Sequence, residues 1–231
     1  HKPAVEDEAE KFHAVGIVDA ETGLPLGKSV ISWTSVFSDE LVALGHERKD
    51  MVAITAAMLG HKCDVAIMAL HADMRVLRRL QARVQVAGLT VSDSYVSITE
   101  VSEYAKGMPE HMLQARLHPE IPPEGMSAFC FYPMSKKREA AANWFATPYD
   151  RRQEMMMEHG KSGRTFAGKV AQVISGSTGL DDFEWGVTLF AKSPDVIKDV
   201  VYTMRFDEGS ALYGEFGAFY VGYLEYVDNI L

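Results

Sequence analysis

CDVAIMALHADMRVLRRLQARV (63–84) and FEWGVTLFAKSPDVIKDVVYTMRF (183–206) share one pattern, about 120 residues apart. Each opens on a run of apolar residues with strand character. A short polar break follows, then a helix with apolar residues on one side. A β-rich run comes after each helix, LTVSDSYVSITEV (89–101) and GAFYVGYLEYV (217–227). Strand–helix–strand units used twice predict an α+β protein with two ferredoxin-like halves.

The predicted organisation follows from that repeat. Residues 1–12, HKPAVEDEAEKF, are charged and poor in apolar groups, and read as an N-terminal arm. Residues 13–118 form the first half and residues 119–231 the second, which carries the chemistry. Residues 21–28, ETGLPLGK, read as a loop. Leu41, Leu44, Met51, Ile54 and Met58 have helical spacing within 39–59. The Pro- and Gly-rich segment 105–125 reads as the crossing between halves. AFCFYPM (128–134) alternates as a strand, with Cys130 and Tyr132 on one face. A helix is predicted over 148–159, with Thr147 as N-cap, Pro148 at the first helical position and Gly160 just past the end.

Composition narrows the function. The 231 residues are 47% apolar and 24% charged, enough to bury a core. The net charge of −9 argues against broad binding of nucleic acid or of an anionic membrane. No stretch reaches the roughly 18 apolar residues of a transmembrane helix, and no secretory signal is visible. Cys63 and Cys130 have no metal-ligand spacing and read as buried, reduced thiols, which suits a cytoplasmic setting.

The chemistry-bearing residues are individually ordinary. His159, at a predicted helix end, reads as a cap or as an iron ligand. Ligation needs a neutral imidazole with an acceptor on its other nitrogen, and Glu184, Glu208 or a backbone carbonyl are open choices for that acceptor. Met155, Met156 and Arg152 share its side of the helix. Gln172 reads as an edge residue facing solvent or as a neutral donor. Tyr132 reads as core or as a source of an electron and proton. Lys136, Arg116 and Arg205 read as surface charges or as clamps for carboxylates. Trp144 and Trp185 read as core.

Taken together, these spacings are specific. FYPMSKKR (131–138), NWF (143–145), HGKSGR (159–164), ISGSTGLDDFEWGVTLF (174–190), MRFDE (204–208) and YGEFG (213–217) resemble the coproheme decarboxylases of Gram-positive, Bacillus-type bacteria, within the chlorite dismutase superfamily. The likeness covers residues 114–223. Before that it is looser, mainly SYVSITEVSEY (94–104).

The resemblance implies a dimeric α/β barrel, two ferredoxin-like halves with flanking helices, assembled as a homopentamer. It implies iron-coproporphyrin III (coproheme) as both substrate and redox cofactor, hydrogen peroxide as oxidant and haem b as product, two propionates becoming vinyl groups. By the same likeness His159 is the axial iron ligand and Tyr132 the tyrosine that becomes a radical. Lys136 holds the second reacting propionate, with Trp144 nearby. Gln172 is the distal amide. Arg116, Arg205 and Ser210 contact propionates, and Tyr95 and Ser97 contact another. The segment leading to Tyr132 is two residues longer than the family pattern, and His118 stands where a tyrosine is expected, which makes it a competitor of Gln172 or a loop residue. The alternatives are a non-catalytic haem carrier, a chlorite dismutase and a structural dimerising α+β barrel without haem. The second expects a distal arginine in place of Gln172.

Overall fold

The structure, a computed structural model, describes Ala43 and residues 52–225. The arm at 1–12, the loop at 21–28 and all but Ala43 of the first part of the helical reading at 39–59 lie outside these residues. The described chain falls into two compact units. The larger comprises residues 53–68 and 92–225, the smaller Ala43, Val52 and residues 69–91.

Strands β1 (Val52–Met58), β2 (Val65–Leu70), β3 (Ile98–Thr99), β4 (Ala128–Lys136), β7 (Val170–Gly176), β8 (Trp185–Ala191), β9 (Gly214–Phe216) and β10 (Tyr220–Leu224) form one sheet. Its order is β2-β1-β10-β4-β8-β7-β3, with β9 also on β4. Two short strands, β5 (Arg138–Glu139) and β6 (Ala142–Asn143), pair separately. The helices are α1 (Met74–Val86), α2 (Glu110–Leu117), α3 (Tyr149–Arg164), α4 (Pro194–Met204) and α5 (Glu208–Ala211).

Both repeated motifs fold as the pattern predicts. In the first, α1 follows β2 and starts where Asp73 accepts from the Arg75 backbone N–H at 2.9 Å. Val76, Leu80 and Val84, four residues apart, are its buried positions. In the second, α4 follows β8, with Pro194 at its start and Ile197 and Val200 buried.

Antiparallel pairing sets the faces of the larger unit. Ala128, Cys130, Tyr132 and Met134 pair with Ala191, Leu189, Val187 and Trp185. Leu189, Val187 and Trp185 pair in turn with Gln172, Ile174 and Gly176. Paired residues share a face, so these side chains all project to one side. Ala128, Cys130, Val187, Leu189 and Ala191 pack there with Ile197 and Val200 of α4. The opposite face carries Phe129 and Phe190, whose ring centroids lie 5.8 Å apart, edge to face. At Gly222 the β10 backbone runs so near β1 that a Cβ would stand 2.3 Å from the Ala57 carbonyl oxygen.

Five expectations are corrected. Residues 52–58 form β1, not a helix: the 3–4 spacing of Met51, Ile54 and Met58 coincides with the β-branched run Val52, Ile54, Thr55, and strand pairing with β10 prevails. The run 89–101 contributes only Ile98 and Thr99 to the sheet. Helix α3 passes through Gly160 to Arg164, because glycine permits a helix end without imposing one. Thr147 does not cap it. Its hydroxyl donates to the Asn143 carbonyl at 2.9 Å, and Pro148 holds the cap position. Cys130 is fully buried, its thiol pushed up to about 12 by burial, whereas Cys63 precedes β2 and is only half-buried.

Phe190 is fully buried between strands. Phe190→Ala is expected to cost about 3–5 kcal/mol in urea unfolding, from lost transfer energy and the cavity left behind. A loss below about 1 kcal/mol would contradict this packing.

Candidate porphyrin site

Lys136 ends the β4 face that also carries Tyr132 and is itself buried. Its Nζ donates to the Gly209 carbonyl at 2.6 Å and lies 4.6 Å from the Trp144 ring centroid. Trp144 is 2% exposed and meets Tyr213 edge to face at 5.3 Å. Burial, only partly opposed by Asp207, lowers the Lys136 ammonium to about 8. A substrate carboxylate beside it would favour the charged form again.

His159 comes from α3, one turn past the buried Met155. Its Nδ1 lies 3.1 Å from Asp207 Oδ2, and Ser162 Oγ donates to Asp207 Oδ1 at 2.5 Å. Ser210 Oγ stands 3.4 Å from the same Nδ1. Burial holds the imidazole below its ordinary value, outweighing Asp207, which raises it, while Lys136 pushes further down. The ring is therefore neutral near pH 7. A carboxylate only accepts, so the proton sits on Nδ1, and Nε2 keeps its lone pair for a metal. Because α3 runs on past His159, no helix terminus opposes neutrality.

The acceptor left open by the sequence is Asp207, which is neither of the glutamates considered. Glu184 instead accepts from the Lys136 backbone N–H at 3.1 Å and from Arg138. Glu208 pairs with Arg151. Asp207 and Ser162 were both missed. Their motifs, MRFDE and HGKSGR, were visible, but nothing local links an aspartate to a histidine 48 residues earlier.

Tyr132 stacks on Phe219 with ring centroids 4.4 Å apart, and Phe216 lies 5.9 Å away, edge to face. Burial raises its phenol, which stays protonated. Gln172 is exposed on the same sheet face, across β8 from Cys130. That face also leaves Ile98, Ile174 and Phe216 exposed, at 53%, 42% and 45%. Together they form an apolar strip rimmed by Tyr132 and Gln172.

Other predicted residues lie apart from this group. Arg205 is exposed and stacks over the rings of Tyr202 and Phe206, at 4.0 and 4.9 Å. Arg116 is exposed in the last turn of α2, and His118 is the exposed C-cap of that helix. The Tyr95 hydroxyl bonds Ser177, and Ser97 Oγ lies 2.7 Å from Ser175 Oγ. Register places Ser175 on the face opposite Tyr132, where Tyr95 also packs on Phe131.

The site thus sets a helix-borne histidine, bound to a buried carboxylate, within an α+β fold. The sequence profile of the chlorite dismutase family matches residues 33–225, and the chain belongs to that family. It is 44% identical to a coproheme decarboxylase of Staphylococcus saprophyticus over 181 residues, 74% of this chain and 72% of that one. It is 45% identical over 182 residues to a protein of Haloquadratum walsbyi named as heme-binding, covering 72% of this chain but 34% of that longer one. Among solved structures, a heme-binding protein from Thermus thermophilus superposes with a TM-score of 0.76 at 36% identity, over 83% of this chain and 82% of that one. A chlorite dismutase variant from Candidatus Nitrospira defluvii shares the fold, with a TM-score of 0.70 at 16% identity over 85% and 84%. No described helix is long and apolar enough to cross a membrane.

The depressed Lys136 carries a pH signature. The unfolded lysine titrates near 10.5 and the folded one near 8, so between those values the unfolded state binds more protons. Folding should therefore gain stability from about pH 8 to 10.5, a gain absent in Lys136→Met. Urea unfolding of both proteins at pH 7.5 and 10 measures the difference. Equal pH trends would contradict the burial of Lys136.

Proposed function

We propose that this chain is a coproheme decarboxylase, converting two propionates of iron-coproporphyrin III to vinyl groups with hydrogen peroxide and giving haem b. The observation that carries this reading is the placement of Tyr132 and Lys136 four residues apart on one face of β4, with His159 beside Lys136. A haem carrier needs a ligand and an apolar pocket; a protonated phenol and a buried ammonium on the same face serve carboxylate chemistry. Similarity to the Staphylococcus saprophyticus enzyme supports the same reading.

When bound, the porphyrin iron supplies the redox chemistry with peroxide. The residues of the chain do the rest. His159 holds the iron through Nε2 while Asp207 keeps its proton on Nδ1. Gln172 would offer a neutral amide to the bound group from the sheet face. Tyr132, protonated by burial, yields an electron and its proton together and regains both from the propionate chain. Lys136 orients and charges the second reacting propionate, backed by Trp144. Arg116, Arg205 and Ser210 hold carboxylates. For Arg116 and Arg205 this requires their exposed side chains to turn toward the substrate.

Each conversion balances as one propionate carboxylate, one hydrogen peroxide and one proton giving one vinyl, one carbon dioxide and two waters. Two electrons leave the propionate side chain and reduce the peroxide. The homopentameric assembly and cytoplasmic setting implied by family likeness belong to the same proposal.

Stepwise addition of peroxide to the iron-coproporphyrin III complex, with products read by mass spectrometry, tests it. Two successive losses of a carboxyl are expected, ending in haem b. Tight binding with no mass change would instead favour a carrier. Tyr132→Phe should bind the porphyrin and lose most decarboxylation, and full turnover by that variant would remove its redox role. In Lys136→Ala the reaction should stall after the first decarboxylation. A normal second step would contradict the assignment.

A further inference from the structure

Asp207 occupies the N-cap position of α5, yet its carboxylate makes no capping bond to that helix. An aspartate there ordinarily accepts from backbone N–H groups in the first turn. Here both oxygens are drawn elsewhere, Oδ2 to His159 Nδ1 at 3.1 Å and Oδ1 to Ser162 Oγ at 2.5 Å. The bond to Ser162 is the shorter one, and His159 and Ser162 are three residues apart on α3, so they offer their donors from adjacent positions on one side of the helix. Asp207 itself is 4% exposed, so water does not compete for it.

We propose that Ser162 is a positioning residue for the iron ligand, holding the Asp207 carboxylate against His159 and away from the α5 N-terminus. The inference rests on the reading of His159 as the ligand. Without the serine hydroxyl, Oδ1 loses its donor, and the N–H groups at the start of α5 compete for the carboxylate. The carboxylate then turns from Nδ1, and the imidazole becomes a weaker electron donor to iron. Threonine at 162 keeps the hydroxyl and keeps the arrangement.

The test uses the ferrous iron-coproporphyrin III complex and reads two properties other than turnover: the iron–histidine stretch by resonance Raman and the Fe(III)/Fe(II) potential. Ser162→Ala is expected to lower the stretch and move the potential positive, in the same direction as Asp207→Asn but by less. Ser162→Thr should stay near the unmodified protein. A stretch and potential unchanged in Ser162→Ala, or moved opposite to Asp207→Asn, would overturn the inference. So would an Asp207→Asn variant that changes neither. His159→Ala separates the two levels: if it leaves the spectrum unaltered, the ligand reading itself fails.

Discussion

Seven consecutive pairings between β4 and β8, continued by seven between β8 and β7, decide which side chains can meet in this protein. Side chains alternate across a strand, so a slip of one residue in β4 would move Tyr132 and Lys136 to the wrong face, and one in β7 would do the same to Gln172. The core enforces the register. Cys130, Val187 and Leu189 must lie on the side that receives Ile197 and Val200 of α4, and Phe129 and Phe190 on the other. The apolar pattern that stabilises the sheet thereby also aims its chemistry, and the same face that is packed near α4 is open at Ile98 and Ile174.

The second constraint is electrostatic. Lys136 and Asp207 are both buried, and their neighbourhood holds His159 neutral. Each polar group there has a partner: Lys136 has the Gly209 carbonyl, Asp207 has His159 and Ser162, and Glu184 has Arg138 and the Lys136 backbone. Buried polar groups are costly unless satisfied, so this network is stable only as a set. It serves a ligand histidine better than a free one. A histidine needing charge would not be buried beside an ammonium.

Much of this was legible in the chain. The two strand–helix motifs, the alternation through β4 and the shared face of Cys130 and Tyr132 follow from period-2 and period-3.6 patterning, and the structure agrees. The spacing that links Tyr132, Lys136, Trp144 and His159 carries the resemblance to the family in the sequence itself. What failed was local. Helical spacing at Met51, Ile54 and Met58 hid a strand, since a short apolar run satisfies both periods and only the partner strand β10 arbitrates. Gly160 looked like a stop but lies within a helix. The Asp207–Ser162 pairing was invisible because it joins distant segments through tertiary packing, and an Asp-Glu after an aromatic reads as an ordinary helix start.

The most direct test of the account is an electron-density map of the protein with iron-coproporphyrin III bound. It should show iron on His159 Nε2, Nδ1 still facing Asp207, and the macrocycle against the sheet face of Tyr132, Gln172 and Ile174. Iron on any other side chain, or a porphyrin lodged away from that face, would contradict it.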